Sequence, residues 1–218
     1  MEPRILVVDV GGAHVKLLAS GKRRHRAFES GPHLTPRKLV EGVSRLTADW
    51  KYDVVSVGFP SPVRRGRPTR EPKNLGKGWV GFDFARAFGK PVRVVNDAAM
   101  QALGSYRGGS MLFVGLGTGM GSALVVDGVL TPLELAHLPY KKGMTFEDYV
   151  GMRGLQRLGP KRWRAAVRDV VSQLGAALEA EYVVVGGGNA RLVRALPKHI
   201  RLGNNDRAFR GGFELWRT

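Results

Sequence analysis

The chain has 218 residues, 43% of them hydrophobic, and its 35 Lys and Arg outnumber 18 Asp and Glu to give a formal net charge of +17. This apolar content suffices for a buried core, which excludes a disordered or fibrous protein, while 30 Gly and 12 Pro predict an α/β chain with many tight turns. The absence of Cys excludes disulfides, thiol nucleophiles and Cys-ligated zinc.

The positive charge predicts an attraction to polyanions, although a solvated basic surface explains it equally well. No segment reaches the roughly 18 uncharged apolar residues of a membrane span, and no basic leader precedes the first apolar run. We therefore expect a cytoplasmic protein without a membrane partner. The sequence has no base-reading motif and no aromatic pattern of an RNA-binding module, so we do not expect binding to nucleic acid.

Apolar periodicity predicts alternating strands and helices in the first half of the chain. The opening forms a hairpin that turns at Gly11 and Gly12, and a helix begins at Pro36. Later, a strand leads into a loop rich in Pro, Gly and Arg, and Asn96 or Asp97 caps a helix. The predicted strands are 5–8, 15–19, 54–57 and 92–95, and the predicted helices are 36–48, 82–88 and 97–106.

The second half repeats this scheme. A glycine turn at 117–121 joins two strands, and Asp127-Gly128 marks a second hairpin. After a further glycine turn, Asn189 is expected to cap a helix that begins near Ala190. Because strand, glycine turn and strand occur in both halves, the sequence indicates two similar α/β units. The predicted strands are 112–116, 122–126 and 182–185, and the predicted helices are 146–158 and 160–180.

Two glycine turns are candidates for binding phosphate groups. Asp9 precedes Gly11 and Gly12 at the end of a buried strand, where backbone N–H groups can approach a phosphate and Asp9 can hold a hydrated Mg²⁺. The turn at 115–121 carries a hydroxyl at Thr118, but it fits neither the dinucleotide fingerprint nor a P-loop. Each turn is equally well explained as part of an ordinary hairpin.

Three other side chains are candidates for chemistry on a hydroxyl group. Asp97 follows a buried strand, and because α/β sheets bind ligands at the carboxyl ends of strands, it can accept a proton from a bound hydroxyl. Glu134 and His137 stand three residues apart and can hydrogen-bond a polyol. The structural alternatives are a helix cap at Asp97 and a surface loop at 134–137.

Seven short motifs occur in a fixed order along the chain. They are Asp9-Val10-Gly11-Gly12, Gly58-Phe59-Pro60, Pro72-Lys73-Asn74, Asn96-Asp97, Gly117-Thr118-Gly119-Met120-Gly121, Glu134 with His137, and Gly186-Gly187-Gly188. In this order they resemble the ROK family of sugar kinases, and most closely its polyphosphate glucokinase branch. The resemblance implies an α/β actin/hexokinase-like (ribonuclease H-like) fold with two lobes around a central cleft. The lobes would be residues 1–108 and 109–218, with the C-terminal segment packing back on the first lobe.

The resemblance also implies a reaction, the transfer of a phosphoryl group from polyphosphate or ATP to a hexose hydroxyl, with Asp97 as the general base. Mg²⁺ would be the metal, held through water by Asp9, and zinc is not expected. Homodimers are common in the family, so a homodimer is expected. By the family pattern the sugar would be held by Asn74, Asn96, Glu134 and His137, the phosphates by Asp9, Gly11, Gly12, Lys16, Gly117, Thr118 and Gly119, and a nucleotide by Gly187 and Gly188.

Two positions depart from the family pattern. Ala13 stands where the family usually has Thr or Ser, and Ala136 replaces the usual Gly before His137. These departures support an alternative, a catalytically weak ROK-like protein that binds a sugar or a polyanion in a regulatory role. Basic side chains at 64–70 and on one face of the predicted helix 160–180 would suit a long anionic donor, or they are simply solvated.

Overall fold

The computed structural model describes residues 2–194, 196–204 and 206–217, and it divides into two compact units. The first unit runs up to Met100 and includes the segment from Ala208 onward, whereas the second is Gln101–Arg207. The division at Met100 comes earlier than the expected boundary at residue 108. Each unit contains a five-stranded mixed sheet. Across the described ranges, no helix combines the length and the apolar character that a bilayer span requires.

In the first sheet, three parallel strands are flanked by an antiparallel pair. The order is β3-β2-β1-β4-β7, with β1, β4 and β7 parallel and β2 antiparallel to both of its neighbours. The central strands β1 and β4 are almost wholly apolar because both of their faces are covered. The strands of the unit are β1 Ile5–Val10, β2 His14–Ala19, β3 Arg26–Glu29, β4 Val54–Phe59, β5 Val63–Arg64, β6 Arg67–Pro68 and β7 Val92–Asn96.

Helices cover both faces of this sheet. On one face α1 begins with Pro36 in its first turn, and Leu39 and Val43 of that helix are buried in a core that includes Trp79. On the other face Phe209 of α6 is buried in a second cluster with Val7 and Met100. The helices of this part of the chain are α1 Pro36–Leu46, α2 Phe84–Phe88, α3 Asp97–Ser105 and α6 Arg207–Glu214.

The second sheet repeats the first in strand order and direction. Its order is β10-β9-β8-β11-β12, in which β8, β11 and β12 are parallel and β9 is antiparallel to β8 and β10. Asp127 and Gly128 both have positive φ, 48° and 82°, as a tight two-residue hairpin requires. The strands are β8 Ser110–Leu116, β9 Met120–Val126, β10 Val129–Leu133, β11 Tyr182–Gly186 and β12 Ile200–Leu202.

The helices of the second unit differ from the prediction in two places. The predicted helix 146–158 ends at Val150, because Gly151 is extended, and α5 then begins at Met152. Within α5, Gly159 has φ 72° and breaks the helix before Pro160, close to the predicted junction. The two helices are α4 Phe146–Val150 and α5 Met152–Ala177, and Trp163, Val167, Val170, Val171 and Leu174 of α5 are buried.

The predicted helix after Asn189 is wrong. Ala190–Leu192 forms only a single 3₁₀ turn, and the Asn189 side chain makes no capping hydrogen bond to it. Instead, the side-chain amide nitrogen of Asn189 donates to the backbone oxygen of Gly117, at 3.0 Å. Asn189 therefore joins two glycine turns of the second unit.

Candidate active site

The first glycine turn lies between β1 and β2. Asp9 and Lys16 are directly opposite each other in this antiparallel pair. The backbone N–H of Gly11 donates to the oxygen of His14 at 3.0 Å, and the Ser30 hydroxyl donates to the oxygen of Gly11 at 2.7 Å. These contacts hold the turn in a defined shape at the edge of the sheet.

Asp9 has an unusual carboxyl group. Burial raises the pKa of Asp9 from 3.8 to about 6, against the opposing effect of the Lys16 ammonium. The residue as a whole is half-buried. A cation at this point would favour the ionised carboxylate.

Asn74 lies beside the first turn. A Cβ atom placed on Gly12 would stand 3.4 Å from the Cβ and the side-chain nitrogen of Asn74. Asn74 and Gly12 are both exposed. The structure thus brings one predicted sugar ligand next to the predicted phosphate turn.

Asn96 and Asp97 stand where β7 ends and α3 begins. The Asn96 oxygen accepts from the N–H of Ala98 at 2.9 Å, and its nitrogen donates to the oxygen of Ser61 at 3.4 Å. Asn96 therefore caps α3, and both ends of its amide are already engaged. Asp97 follows it and is half-buried.

Asp9 and Asp97 are at the same edge of the first sheet. Asp9 is opposite Gly58 of β4, and Gly58 is opposite Val95 of β7. Because β1, β4 and β7 are parallel neighbours, the end of β7 lies about 10 Å from Asp9 across the sheet. A Cβ atom on Gly58 would meet the terminal methyl group of Met100, so a larger residue there would displace that flexible side chain.

In the second unit, the turn at Gly117–Gly119 contacts the turn at Gly187–Gly188. The N–H of Asn189 donates to the oxygen of Leu116 at 2.9 Å. Gly187 has φ 83°, and a Cβ atom there would stand 2.7 Å from the nitrogen of Leu116. The structure thus brings the predicted phosphate and nucleotide residues of this unit together. Thr118 and Gly188 are exposed, and a Cβ on Gly117 or Gly188 would meet only open space.

Glu147, which the sequence analysis missed, lies against this second turn. Its carboxylate accepts from the N–H of Met120 at 3.2 Å and occupies the space that a side chain on Gly119 would fill. The guanidinium of Arg153 stands 3.8 Å from the same carboxylate, and the N–H of Met152 donates to the oxygen of Thr118 at 3.2 Å. The sequence signal was the capping box of Thr145 and Asp148, which places Glu147 in the first turn of α4, but it does not show what that turn packs against.

Glu134 precedes a short 3₁₀ turn after β10, Leu135–His137, and His137 ends it. The Ser122 hydroxyl donates to the oxygen of Leu133 at 2.9 Å and accepts from the N–H of Leu135 at 3.3 Å, which fixes the start of the turn. Glu134 and His137 are exposed, whereas Ala136 between them is 3% exposed and packs into the core of the second unit. The methyl group that distinguishes Ala136 from glycine is therefore accommodated.

Residues for a metal ion are sparse. Within the described ranges, no group of three or more His, Asp and Glu side chains could hold a metal ion. Enzymes that transfer phosphoryl groups commonly bind Mg²⁺ through one or two carboxylates together with substrate phosphates and water. A single carboxylate, such as that of Asp9, fits that mode of binding.

Some of the basic side chains expected to attract a donor are engaged within the protein. The Arg164 guanidinium donates to the oxygen of Leu192 at 2.7 Å. Arg67 forms an ion pair with Asp83 at 2.7 Å. The charge of these two residues is therefore partly used in holding their own units together.

No family model matches the sequence. The chain is 28% identical over 139 residues to a glucokinase of Pyrobaculum calidifontis, a match that covers 58% of this chain and 45% of that protein. It is 26% identical over 208 residues to a polyphosphate glucokinase of Mycobacterium tuberculosis, covering 84% of this chain and 77% of that one. The chain thus spans less than half the length of the first relative.

Solved structures show the same fold. The inorganic polyphosphate/ATP-glucomannokinase of Arthrobacter sp. strain KM has a TM-score of 0.83 at 23% identity, over 98% of both chains. A ROK family glucokinase from Streptomyces griseus, in complex with glucose and AMPPNP, has a TM-score of 0.75 at 16% identity, over 98% of this chain and 99% of that one. The fold is therefore that of the ROK and hexokinase-type sugar kinases, which confirms the predicted fold class. The relatives and structural neighbours of this chain are glucokinases, polyphosphate glucokinases and ROK family kinases, and the resemblance found in its sequence is confirmed.

Proposed function

We propose that this protein is a sugar kinase of the glucokinase type, which transfers a phosphoryl group from polyphosphate or ATP to a hexose hydroxyl. The observation that carries the proposal is that three candidate side chains lie at one edge of the first sheet. There Asp97 follows β7, Asp9 lies one residue before the end of β1, and Asn74 stands beside the Gly12 turn. A base, a candidate ion ligand and a sugar-binding amide share one edge of one unit.

Asp97 acts as the general base in this proposal. As the sugar oxygen bonds to the phosphorus of the donor, the hydroxyl proton passes to the Asp97 carboxylate, and the bond from phosphorus to the leaving oxygen breaks. Asn74 hydrogen-bonds another hydroxyl of the sugar. Glu134 and His137, in the second unit, stay predicted sugar ligands. Asn96 contributes mainly by holding the start of α3, because its own amide is engaged.

Phosphate groups are bound by the two glycine turns and by Lys16. Phosphoryl transfer depends on positioning and charge neutralisation more than on covalent help from the protein. Asp9 would hold Mg²⁺ through water, and the ion would neutralise charge on the donor. Gly117, Thr118 and Gly119 bind donor phosphates, and the exposed Gly188 with Gly187 lies against the nucleotide when ATP is the donor.

The relatives support both polyphosphate and ATP as candidate donors. The names of the similar proteins include both polyphosphate and ATP, and the chain carries a net charge of +17 that favours a long polyanion. Use of polyphosphate should therefore fall more steeply with salt concentration than use of ATP.

The homodimer stays a prediction. The alternative, a catalytically weak binding protein, is not favoured by the relatives, and Ala136 is accommodated in the core.

The test is the turnover of Asp97→Asn with a panel of hexoses and both donors. Loss of the base should lower turnover by roughly 10²- to 10⁴-fold and leave binding of the sugar nearly unchanged. Asp127→Asn is the matched control, because it makes the same chemical change at an exposed hairpin turn and should leave turnover unchanged. Near-normal turnover of Asp97→Asn would remove this residue from the role of base.

A further inference from the structure

A concentration of positive charge lies at the end of the first sheet opposite to the candidate active site. Because β1, β4 and β7 are parallel and β2 runs against them, the residues before β1, β4 and β7 and the loop after β2 share one end of the sheet. β1 has six residues, so this end lies roughly 20 Å from Asp9 and Asp97. We name it the basic edge, and its cations are Lys22, Arg23, Arg24, Lys51 and Lys90.

The loop between β2 and β3 carries the first three of these cations, and both of its ends are held in place. The N–H of Lys22 donates to the oxygen of Ala19 at 3.0 Å, and the Lys22 ammonium stands 5.8 Å from the centre of the Trp50 ring. At the other end the His25 ring stacks on Phe209 with the centroids 5.7 Å apart. The loop therefore presents its charges from fixed anchor points, which lowers the entropic cost of binding.

Two acidic side chains near the basic edge are paired with arginines. Arg26 hydrogen-bonds Asp49 and lowers the pKa of Asp49 to about 2. Arg4 hydrogen-bonds Asp53 at 2.7 Å and holds the pKa of Asp53 far below its ordinary value. Glu2, ahead of β1, is an exposed acid at this end. The five cations of the basic edge therefore have a large excess over unpaired carboxylates.

The chemistry of the basic edge favours a partner made of phosphates without bases. Arg26 and Lys22 lie over the Trp50 ring, which is 7% exposed, and Lys90 lies over Tyr52, which is half-buried. Cations lie over both rings, which disfavours stacking of a nucleobase on them. The side chains that remain accessible are Lys and Arg, which recognise phosphate charge.

From this arrangement we propose that the basic edge is a second binding site, which anchors inorganic polyphosphate away from the site of phosphoryl transfer. A long chain held there raises the local concentration of donor phosphates around the protein. Binding of polyphosphate at the basic edge does not depend on the proposed kinase activity. The effect of that binding on the use of polyphosphate as a donor rests on the proposed function.

The first test is direct binding of long-chain inorganic polyphosphate, without sugar or Mg²⁺, by calorimetry over a series of salt concentrations. The variant Lys22→Gln/Arg23→Gln/Arg24→Gln should bind roughly 10- to 100-fold more weakly. The slope of log affinity against log salt concentration should become shallower by about two to three, because fewer counterions are released. The control Lys38→Gln/Lys77→Gln/Arg86→Gln removes the same charge from exposed positions elsewhere in the first unit and should change affinity less than about threefold.

Equal weakening in the two variants would overturn the proposal, because it would show attraction to net charge alone. Tighter binding of mixed-sequence duplex DNA than of polyphosphate through the same residues would overturn the choice of partner. If the triple variant unfolds, Arg23→Gln/Arg24→Gln provides the same comparison against Lys38→Gln/Arg86→Gln.

The second test is kinetic. In the variant of the basic edge, the KM for long-chain polyphosphate should rise while the KM for ATP stays the same. An equal rise for both donors would contradict anchoring at a separate site. If the wild-type protein shows no turnover with any sugar and donor, the proposed function fails, and the binding comparison alone still decides the present proposal.

Discussion

Asp9 carries an energetic cost in the folded protein. Its carboxyl group is desolvated at the end of β1, and the opposing lysine only partly offsets that cost. A shift in pKa from 3.8 to about 6 corresponds to roughly 3 kcal/mol of free energy lost from folding when the group is ionised. A site that awaits a cation accounts for such a cost, because the ion stabilises the ionised form.

The first prediction concerns the pH dependence of this cost. The folded protein keeps the Asp9 proton up to about pH 6, whereas the unfolded chain releases it near 3.8, so the free energy of unfolding should fall as pH rises through this window. Asp9→Asn should therefore raise the melting temperature more at pH 8 than at pH 4.5. Thermal unfolding at the two pH values measures the difference.

A variant with the opposite sign serves as the control. Arg26 lowers the pKa of Asp49, so Asp49 stabilises the fold above pH 3.8 and loses that effect as pH falls towards 2. Asp49→Asn should lower the melting temperature slightly at pH 8. An Asp9→Asn variant that is less stable than the wild type at pH 8 would contradict the account of Asp9.

Some site residues could be predicted from the sequence and others could not. Asn96 was identified as a helix cap or a sugar ligand, and its two hydrogen bonds now favour the cap, a distinction that depends on Ser61, far away in sequence. Glu147 was missed because its contact with the Gly119 turn joins elements 27 residues apart. Local patterns reveal turns and caps, whereas contacts between elements depend on packing that no short motif records.

At the scale of elements, α6 completes the core of the first unit. The Ser56 hydroxyl, fully buried in β4, donates to the oxygen of Gly212 and accepts from the Trp216 indole N–H at 2.9 Å. A Cβ atom on Gly212 would overlap the side chain of Val7. The close approach of helix and sheet thus depends on glycine at this position.

Gly212→Ala is the prediction at this scale. The added methyl group should overpack the contact between α6 and β1 and destabilise the protein by about 1–3 kcal/mol. The measurement is chemical denaturation, with Arg210→Ala, at an exposed position of the same helix, expected to stay within about 0.5 kcal/mol. Val7→Ala combined with Gly212→Ala should recover part of the loss, and wild-type stability of Gly212→Ala alone would refute the contact.

The elements themselves were largely predictable, and the exceptions have physical causes. Strands β1, β4, β8 and β11 follow from continuous apolar runs, because central strands of a covered sheet are buried on both faces. The helix expected after Asn189 was wrong because a hydrogen bond to Gly117 takes the side chain that would have capped it. The contact between Asn189 and Gly117 joins residues far apart in the sequence, so the short motif around Asn189 does not reveal it.

At the scale of the whole molecule, two sheets with the same strand order account for the repeated hairpin in the sequence. Each unit supplies one glycine turn, Gly11–Gly12 in the first and Gly117–Gly119 in the second, at the end of its leading strand. Each also supplies polar side chains suited to hydroxyl groups. The proposed activity of the molecule is the transfer of a phosphoryl group to a sugar hydroxyl.

The most direct measurement is the sugar-dependent transfer of phosphate by the purified protein. Each hexose of a panel is incubated with Mg²⁺ and either ATP or polyphosphate, and the sugar phosphate is quantified against phosphate released to water. The account predicts a phosphorylated sugar, with hydrolysis a small fraction of turnover. Hydrolysis without sugar phosphate, or no turnover despite measurable sugar binding, would contradict it.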